Sequence, residues 1–189
     1  GFVKLHLENK DIVSFIRQIT LSVSHYIENK SIKLIFDGTE DEIIMAFDSE
    51  KIDRIMLNLL SNAAKFTPSG GEIRVRVSEE DNHVIISVKD TGVGIPYEKQ
   101  QLIFERFGQV DSPITRHNEG SGIGLSLVKS LVELHDGVIE FYSEEEKGTE
   151  FIIKLPIKIT DEKITSEKNK NVIINDEENL YIELSDILD

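Results

Sequence analysis

Between Asp90 and Ser121 the chain loses every regular apolar period. Apart from a short helical pattern around Glu98 to Phe104, the stretch is irregular and rich in glycine. Irregular backbone of this length cannot sit in a core, because its N–H and C=O groups would lack partners. Nor is an insert of this kind usual in a compact domain unless it serves a function. The rest of the chain must therefore be a regular framework that carries one long surface loop.

That framework reads off the periodicity. From Asp11, a candidate cap, Ile12, Phe15, Ile16, Ile19, Val23, Tyr26 and Ile27 recur at steps of three and four, predicting one helix that ends near Asn29-Lys30. Ser31 to Phe36 alternates Ile32, Leu34 and Phe36. Ile43 to Phe47 follows the turn-rich Asp37-Gly38-Thr39-Glu40, so the two read as a hairpin. Asp48 or Ser49 caps a second helix with Ile52, Ile55, Met56, Leu59 and Ala63 on one stripe, stopped by Pro68, Gly70 and Gly71. Ile73, Val75 and Val77, then Val84, Ile86 and Val88, predict two strands joined at Asp81-Asn82. After the irregular stretch come a third helix and a last strand pair. The helix runs from Leu125 to His135 with Leu127, Val128, Leu131 and Leu134 on one face and Gly137 as its stop; the strands are Val138 to Tyr142 and Thr149 to Leu155.

Beyond Pro156 the composition shifts. Residues 157–189 hold four Lys against nine Asp and Glu, a local charge of 4 − 9 = −5, and the domain boundary is placed there. This leaves a domain over 1–156, with a lead-in at 1–10, and an acidic tail over 157–189. The tail is expected to be largely mobile, with Leu180 to Leu184 able to dock as a strand at a sheet edge or on a partner. A start at Gly1, with Phe2-Val3-Lys4-Leu5 unmarked by any cap, reads as an excised piece with a leftover tag residue.

Charge and cysteine content limit the function classes. With 35 acidic residues against 21 Lys and Arg the formal net charge is −14, which opposes a nucleic-acid surface or an acidic leaflet. The absence of cysteine removes disulfides, thiolate nucleophiles and Cys-based zinc sites, and the cytosol is the expected compartment. No run approaches the roughly 18 apolar residues of a membrane span.

Three segments carry candidate chemistry. Asn58, Asn62, Lys65 and Phe66 fall at i, i+4, i+7 and i+8 of the second helix, so two amides and an ammonium share one wall. Amide oxygens suit a hard cation such as Mg²⁺, and the lysine suits phosphate, although a plain solvated helix face fits the same residues. Asp90 ends a buried strand and opens Asp90-Thr91-Gly92-Val93-Gly94-Ile95-Pro96. A carboxylate there can accept from an exocyclic amine while glycine lets a flat ring approach the backbone, and a simple strand-ending turn fits equally. Gly120-Ser121-Gly122-Ile123-Gly124-Leu125 runs into a helix, where free N–H groups favour phosphate. It is neither a Rossmann fingerprint nor a P-loop.

Taken in order, these segments resemble the ATP-binding superfamily of gyrase, heat-shock chaperone, histidine kinase and MutL type, and sensor histidine kinases most closely. Asn58 to Pro68 is similar to the N box, Asp90 to Gly94 to the first glycine box and Phe104-Glu105-Arg106-Phe107 to the F box. Gly120 to Leu125 is similar to the second glycine box and Gly148-Thr149-Glu150-Phe151 to the closing one. The resemblance implies an α+β fold, a two-layer α/β sandwich. In it a mixed, mostly antiparallel sheet is covered on one face by three helices, with a long ATP lid over 97–119 hinged near Gly94 and Gly120.

The resemblance further implies that Asn62, helped by Asn58, ligates Mg²⁺ and that Lys65 touches phosphate. Asp90 would bind the adenine amine, with Thr149 joined to it through water. Phe66 would pack near the base or ribose, and Arg106 would lie near the terminal phosphate. Gly92, Gly94, Ile95, Phe107 and the segment Gly120, Ser121, Gly122, Ile123, Gly124, Leu125 would line the nucleotide. Arg116 and His117 lie in the lid, either reaching a phosphate or the partner domain or simply solvated.

Hydrolases of the superfamily carry a general-base Glu four residues before the metal-binding Asn, and here that position is Asn58. An amide takes no proton near neutral pH, so the resemblance favours transfer of the γ-phosphoryl of Mg-ATP to an imidazole over hydrolysis. None of His6, His25, His83, His117 and His135 has the context of an acceptor, and His135 reads as a helix cap. The acceptor would belong to a separate dimerisation domain, and the onward partner would be a response regulator. The piece itself would be a monomer from a homodimeric, membrane-anchored or soluble parent. A nucleotide-binding module without transfer and an anti-sigma-type serine kinase stay open.

Overall fold

The computed structural model describes residues 4–105 and 124–161. In chain order the elements are β1 (Glu8–Asp11), α1 (Ile12–Ser22), α2 (Ser24–Asn29), β2 (Lys33–Gly38), β3 (Ile44–Phe47), α3 (Ser49–Phe66), β4 (Glu72–Glu80), β5 (His83–Asp90), α4 (Tyr97–Gln100), α5 (Gly124–Leu134), β6 (Val138–Glu144) and β7 (Gly148–Pro156). A five-stranded sheet runs β2-β4-β5-β7-β6, parallel only at β2/β4. Helices α1, α3 and α5 pack over one face of it. The expected α+β sandwich with a mixed, mostly antiparallel sheet is the observed one.

The core lies between those layers. Ile73, Val75 and Val77 of β4, Val84, Ile86 and Val88 of β5, and Phe151, Ile153 and Leu155 of β7 face the helices. They meet the Ile52, Ile55, Met56 and Leu59 stripe of α3. At the β4–β5 turn Asp81 and Asn82 both take positive φ, 49° and 59°, which short polar side chains tolerate best.

The hairpin expected from Ser31 to Phe47 does not form. β2 pairs parallel with β4, setting Leu34 beside Ile73 and Phe36 beside Val75, while β3 pairs antiparallel with β1. The reason is burial: Met45, Ala46 and Phe47 are covered on both sides of β3, whereas β2 is an edge strand with one face on the helices. Residues read as lead-in thus supply strand β1. Its Asp11 caps α1, accepting from the amides of Val13 at 3.1 Å and Ser14 at 3.3 Å.

The single helix expected from Asp11 is two. Ser22 and Ser24 donate to the carbonyls of Ile19 and Leu21 at 2.6 and 2.8 Å, competing with the helical ladder around Val23. The apolar stripe survives the break, since Val23 and Ile27 both stay buried. The helical pattern near Glu98 to Phe104 is one four-residue turn, α4, followed by non-helical turns.

The third helix buries most of the face its sequence suggested, with Val132 inward in place of Leu134 and Leu127 packed against the core. Val128, Leu131 and Val132 are buried and Leu134 is 38% exposed. Its end is a Schellman motif, with Gly137 N–H on Val132 C=O and Asp136 N–H on Glu133 C=O, both at 3.0 Å. The left-handed residue is Asp136 (φ 57°), not Gly137. Gly137 is required instead for close approach, because a Cβ there would lie 2.4 Å from Leu155 Cδ2. After β7, hydrogen bonds hold the chain as far as Thr160: Ala46 N–H donates to Lys158 C=O at 2.6 Å, and the Asn9 amide exchanges two bonds with the Thr160 backbone at 2.8 and 2.9 Å. The strand expected at Leu180 to Leu184 lies outside the described residues.

The α5 face is testable. Leu131→Ala should cost about 2–5 kcal/mol in urea unfolding, and Leu134→Ala less than about 1 kcal/mol. The reverse order would mean that α5 is rotated from the position described.

Candidate functional site

The helix end, the end of β5 and the turn before β7 meet at one end of the sandwich. α3 is fixed at its start by Asp48, whose side chain accepts from Lys51 N–H at 3.1 Å and from His6 N–H at 2.9 Å. At its other end the Phe66 carbonyl accepts from Val93 N–H at 3.1 Å. That contact needs Gly92, where a Cβ would stand 2.4 Å from Phe66 O. The last turn of α3 is thereby sewn to the loop after Asp90.

Along α3, Asn58, Asn62 and Lys65 are half-buried and Phe66 is 47% exposed. Asn58 Nδ2 donates to Arg54 C=O at 2.8 Å. Its Oδ1 would be 2.6 Å from a Cβ on Gly124, so bare Gly124 lets the start of α5 lie against it. Burial holds the Lys65 ammonium below its ordinary pKa. Its Nζ sits 5.5 Å from the Phe66 ring centroid, a cation–π distance.

Asp90 is 7% exposed. One oxygen, Oδ1, accepts from Gly92 N–H at 2.8 Å and from Thr149 N–H at 3.2 Å. Burial pushes its carboxyl pKa up, and the two backbone amides pull against that rise. Oδ2 has no hydrogen-bond partner among the described residues. Gly148 (φ 105°) makes the junction possible, since a Cβ there would come 2.0 Å from Asp90 O. Gly94 (φ 70°) plays the same part against Glu144 O.

Asp90, Gly92, Gly94, Ile95 and Thr149 are therefore brought together; Asn58 lies against Gly124, and Leu125 is half-buried in the first turn of α5. Arg106, Phe107, Arg116, His117, Gly120, Ser121, Gly122 and Ile123, and with them most of the lid expected over 97–119, lie outside the described residues. Phe104 belongs to a ring cluster, 5.7 Å from Phe141 and 6.4 Å from Phe151, with Lys129 of α5 over its face at 5.9 Å. Among the described residues no group of three or more His, Asp or Glu side chains could cage a metal.

Two residues of the site escaped the sequence reading. Ser143 Oγ accepts from Ile95 N–H at 2.8 Å and contacts Thr149 Oγ1 at 2.8 Å; Gln100 Nε2 donates to Ile95 C=O at 2.9 Å. The signal for Ser143 was a hydroxyl at the strand parity where Ile139 and Phe141 pack inward. Gln100 carried no comparable signal.

A helix wall of amides and ammonium, a buried carboxylate and a glycine-built junction are thus carried by one sandwich, and comparison with known proteins shows its family. Residues 47–159 match the family described as histidine kinase-, DNA gyrase B-, and HSP90-like ATPase, and the chain belongs to that family. Its relatives there are histidine kinases. It is 41% identical over 154 residues to the sensor histidine kinase TmoS of Ectopseudomonas mendocina, covering 81% of this chain and 16% of that protein. It is 38% identical over 150 residues to histidine kinase P4 of Formosa agariphila, covering 78% of this chain and 11% of that protein. Full-length ShkA, solved in complex with AMPPNP, superposes with a TM-score of 0.74 at 28% identity over 85% of this chain and 33% of its own. The chain thus spans a small part of the kinases it matches, and it corresponds to their ATP-binding catalytic domain.

The Asp90 environment has a measurable consequence. A carboxyl whose pKa is raised on folding favours the protonated state, so its contribution is fully present below the unfolded value and is lost as pH rises through the folded one. Asp90→Asn keeps an acceptor oxygen without the charge. In urea unfolding from acid to neutral pH, the unaltered chain should lose stability relative to Asp90→Asn as pH climbs past the ordinary carboxylate range. A difference that stays flat with pH would contradict the burial account.

Proposed function

We propose that this chain binds Mg-ATP and donates the γ-phosphoryl to a histidine on a separate dimerisation and phosphoacceptor domain of a sensor histidine kinase, for relay to a response regulator. The observation that carries the reading is the occurrence together of an Asp90 oxygen with no hydrogen-bond partner among the described residues and an α3 wall that holds Lys65 and no carboxylate at position 58. The carboxylate oxygen is an acceptor for a base amine, and Lys65 is the counter-charge for phosphate. Asn58, its Nδ2 turned to Arg54 C=O, can orient an oxygen but cannot take a proton from water.

In the transfer, the imidazole nitrogen would form a bond to the γ-phosphorus while the bond to the bridging oxygen breaks, and ADP leaves with that electron pair. Such a step depends mostly on in-line positioning and charge neutralisation. Lys65, and Arg106 by the family resemblance, would take the phosphate charge. The wall also fits the metal, since Mg²⁺ takes a few oxygen donors and keeps the rest as water and phosphate rather than needing a cage. Asn62 with Asn58 would hold it, and it would supply charge neutralisation on the phosphates.

The histidines of the chain support an acceptor elsewhere. Both ring nitrogens of His135 are engaged: Nε2 accepts from Asp48 N–H at 3.2 Å and Nδ1 lies 2.8 Å from Leu131 C=O. Those partners match a ring whose Nδ1 donates and whose Nε2 accepts, since a carbonyl can only accept and an amide N–H can only donate. Among the described residues no helix is long and apolar enough to cross a membrane.

Calorimetric titration of ATP with and without Mg²⁺ tests the binding half. Saturable binding that weakens at least about tenfold without the metal or in Asn62→Ala, with no sustained heat of turnover, is the expected result. Continuing turnover heat would point to hydrolysis despite Asn58. Absence of phosphohistidine after mixing with the parent's phosphoacceptor domain would overturn the transfer half and leave a nucleotide-binding module.

A further inference from the structure

Both ends of α5 have a contact on α3. At the start of α5, bare Gly124 lets the backbone approach Asn58, whose Oδ1 would stand 2.6 Å from a Cβ there. Just past its end, buried His135 turns Nε2 to the N–H of buried Asp48 at 3.2 Å, while Nδ1 lies 2.8 Å from Leu131 C=O, one turn back in its own helix. Asn58 comes ten residues after Asp48, and His135 eleven after Gly124. At about 1.5 Å per residue these are spans of about 15 and about 16.5 Å, so the helices run antiparallel and the two contacts close a matched frame.

Within that frame α5 buries Val128, Leu131 and Val132. Apolar burial is non-directional, and by itself it resists a shift along the helix axis only weakly. A hydrogen bond weakens steeply when stretched or bent, and it therefore fixes an axial position. Asp48 is a firm anchor for such a bond, because its carboxylate already accepts from Lys51 N–H at 3.1 Å and His6 N–H at 2.9 Å. A slide of α5 by one residue, about 1.5 Å, would break the His135 contact and carry Gly124 away from the Asn58 amide.

We infer that His135 is a positioning residue for phosphate and metal: by accepting from Asp48 N–H it sets the axial position of α5 on α3, and so where the first turn of α5 meets Asn58. The inference rests on the ATP reading above, in which Asn58 and Asn62 hold Mg²⁺ and the start of α5 lines the nucleotide. It assigns a part in that reading to a histidine about 16 Å along the helix from the phosphate end. The Asp90 junction is held by bonds of its own between β5, the loop after it and β7, so recognition of the base is separable from this register.

The two bonds of the ring can be tested apart. In His135→Asn the amide reaches only as far as Nδ1, so it can donate to Leu131 C=O but offers Asp48 no acceptor. In His135→Gln the longer side chain brings an amide oxygen to the place of Nε2. Mg-ATP is titrated by calorimetry, and adenosine is followed through the NMR shifts of the Gly92 and Thr149 amides, in the unaltered chain and in each variant. His135→Asn should bind Mg-ATP about three- to tenfold more weakly, the equivalent of one hydrogen bond, with adenosine unchanged. His135→Gln should bind both ligands as the unaltered chain does. If His135→Asn does not fold, His135→Leu, which fills the space of the ring without an acceptor, should show the same selective loss. Equal weakening of both ligands would overturn the inference and leave His135 a merely structural residue. An Mg-ATP affinity untouched by loss of the acceptor, or no recovery in His135→Gln, would overturn it too. Failure of the unaltered chain to bind Mg-ATP would instead overturn the ATP reading itself.

Discussion

One carboxylate oxygen joins the parts of this domain that sequence places far apart. Asp90 Oδ1 takes an amide from the loop that follows β5 and another from the start of β7. The approach is possible only because Gly92 and Gly148 lack side chains. A single acceptor serving two donors leaves the second oxygen unspent in a pocket where burial already disfavours charge. The same bonds that close the end of the sandwich therefore fix the orientation of the carboxylate proposed above to read a base.

The opposite end of α3 is organised in a comparable way around Asp48. Its side chain caps α3 and holds the His6 amide, while its own N–H donates to buried His135 at the end of α5. The lead-in, the site-bearing helix and the helix that follows the long loop thus converge on one residue. With Phe66 C=O tied to Val93 at the far end, α3 is fixed at both termini and its exposed stripe cannot rotate without breaking buried bonds. The rigidity of the Asn58, Asn62 and Lys65 wall is a property of its two ends as much as of its packing.

The sequence made the helices and the central strands legible because their apolar periods are strong and local. The candidate site was legible for a different reason: glycines and a strand-ending Asp have few alternative uses in such an order. Strand pairing was not readable, because Leu34 and Phe36 show the same alternation whether they meet β3 or β4, and the burial of β3 on both sides emerges only in three dimensions. At α5 only Leu134 was placed on the wrong side, for a related reason. Leu127, Leu134, Val128 and Leu131 fit a stripe as well as Val128, Leu131 and Val132 do, and packing against α3 makes the choice. Ser143 was missed because its one signal, inward parity with Ile139 and Phe141, does not reveal the partners from two other segments that it meets.

The net charge of −14 makes anion binding here an electrostatic problem with a short-range solution. Surface charges are screened beyond about 8–10 Å at physiological salt, so the acidic exterior acts on approach more than on contact. Within the site the balance differs: Lys65 is partly withdrawn from water, where a charge interacts more strongly with a phosphate than it would on the surface. The same acidic exterior repels nucleic acid and anionic membrane, whose many charges are felt over a wide area. A small, multiply charged ligand that brings its own cation presents far less field at a distance and gains the full local interaction on contact. On the proposed reading, the charge pattern disfavours polyanions more than a metal-neutralised nucleotide, for which the half-buried Lys65 supplies a local positive group.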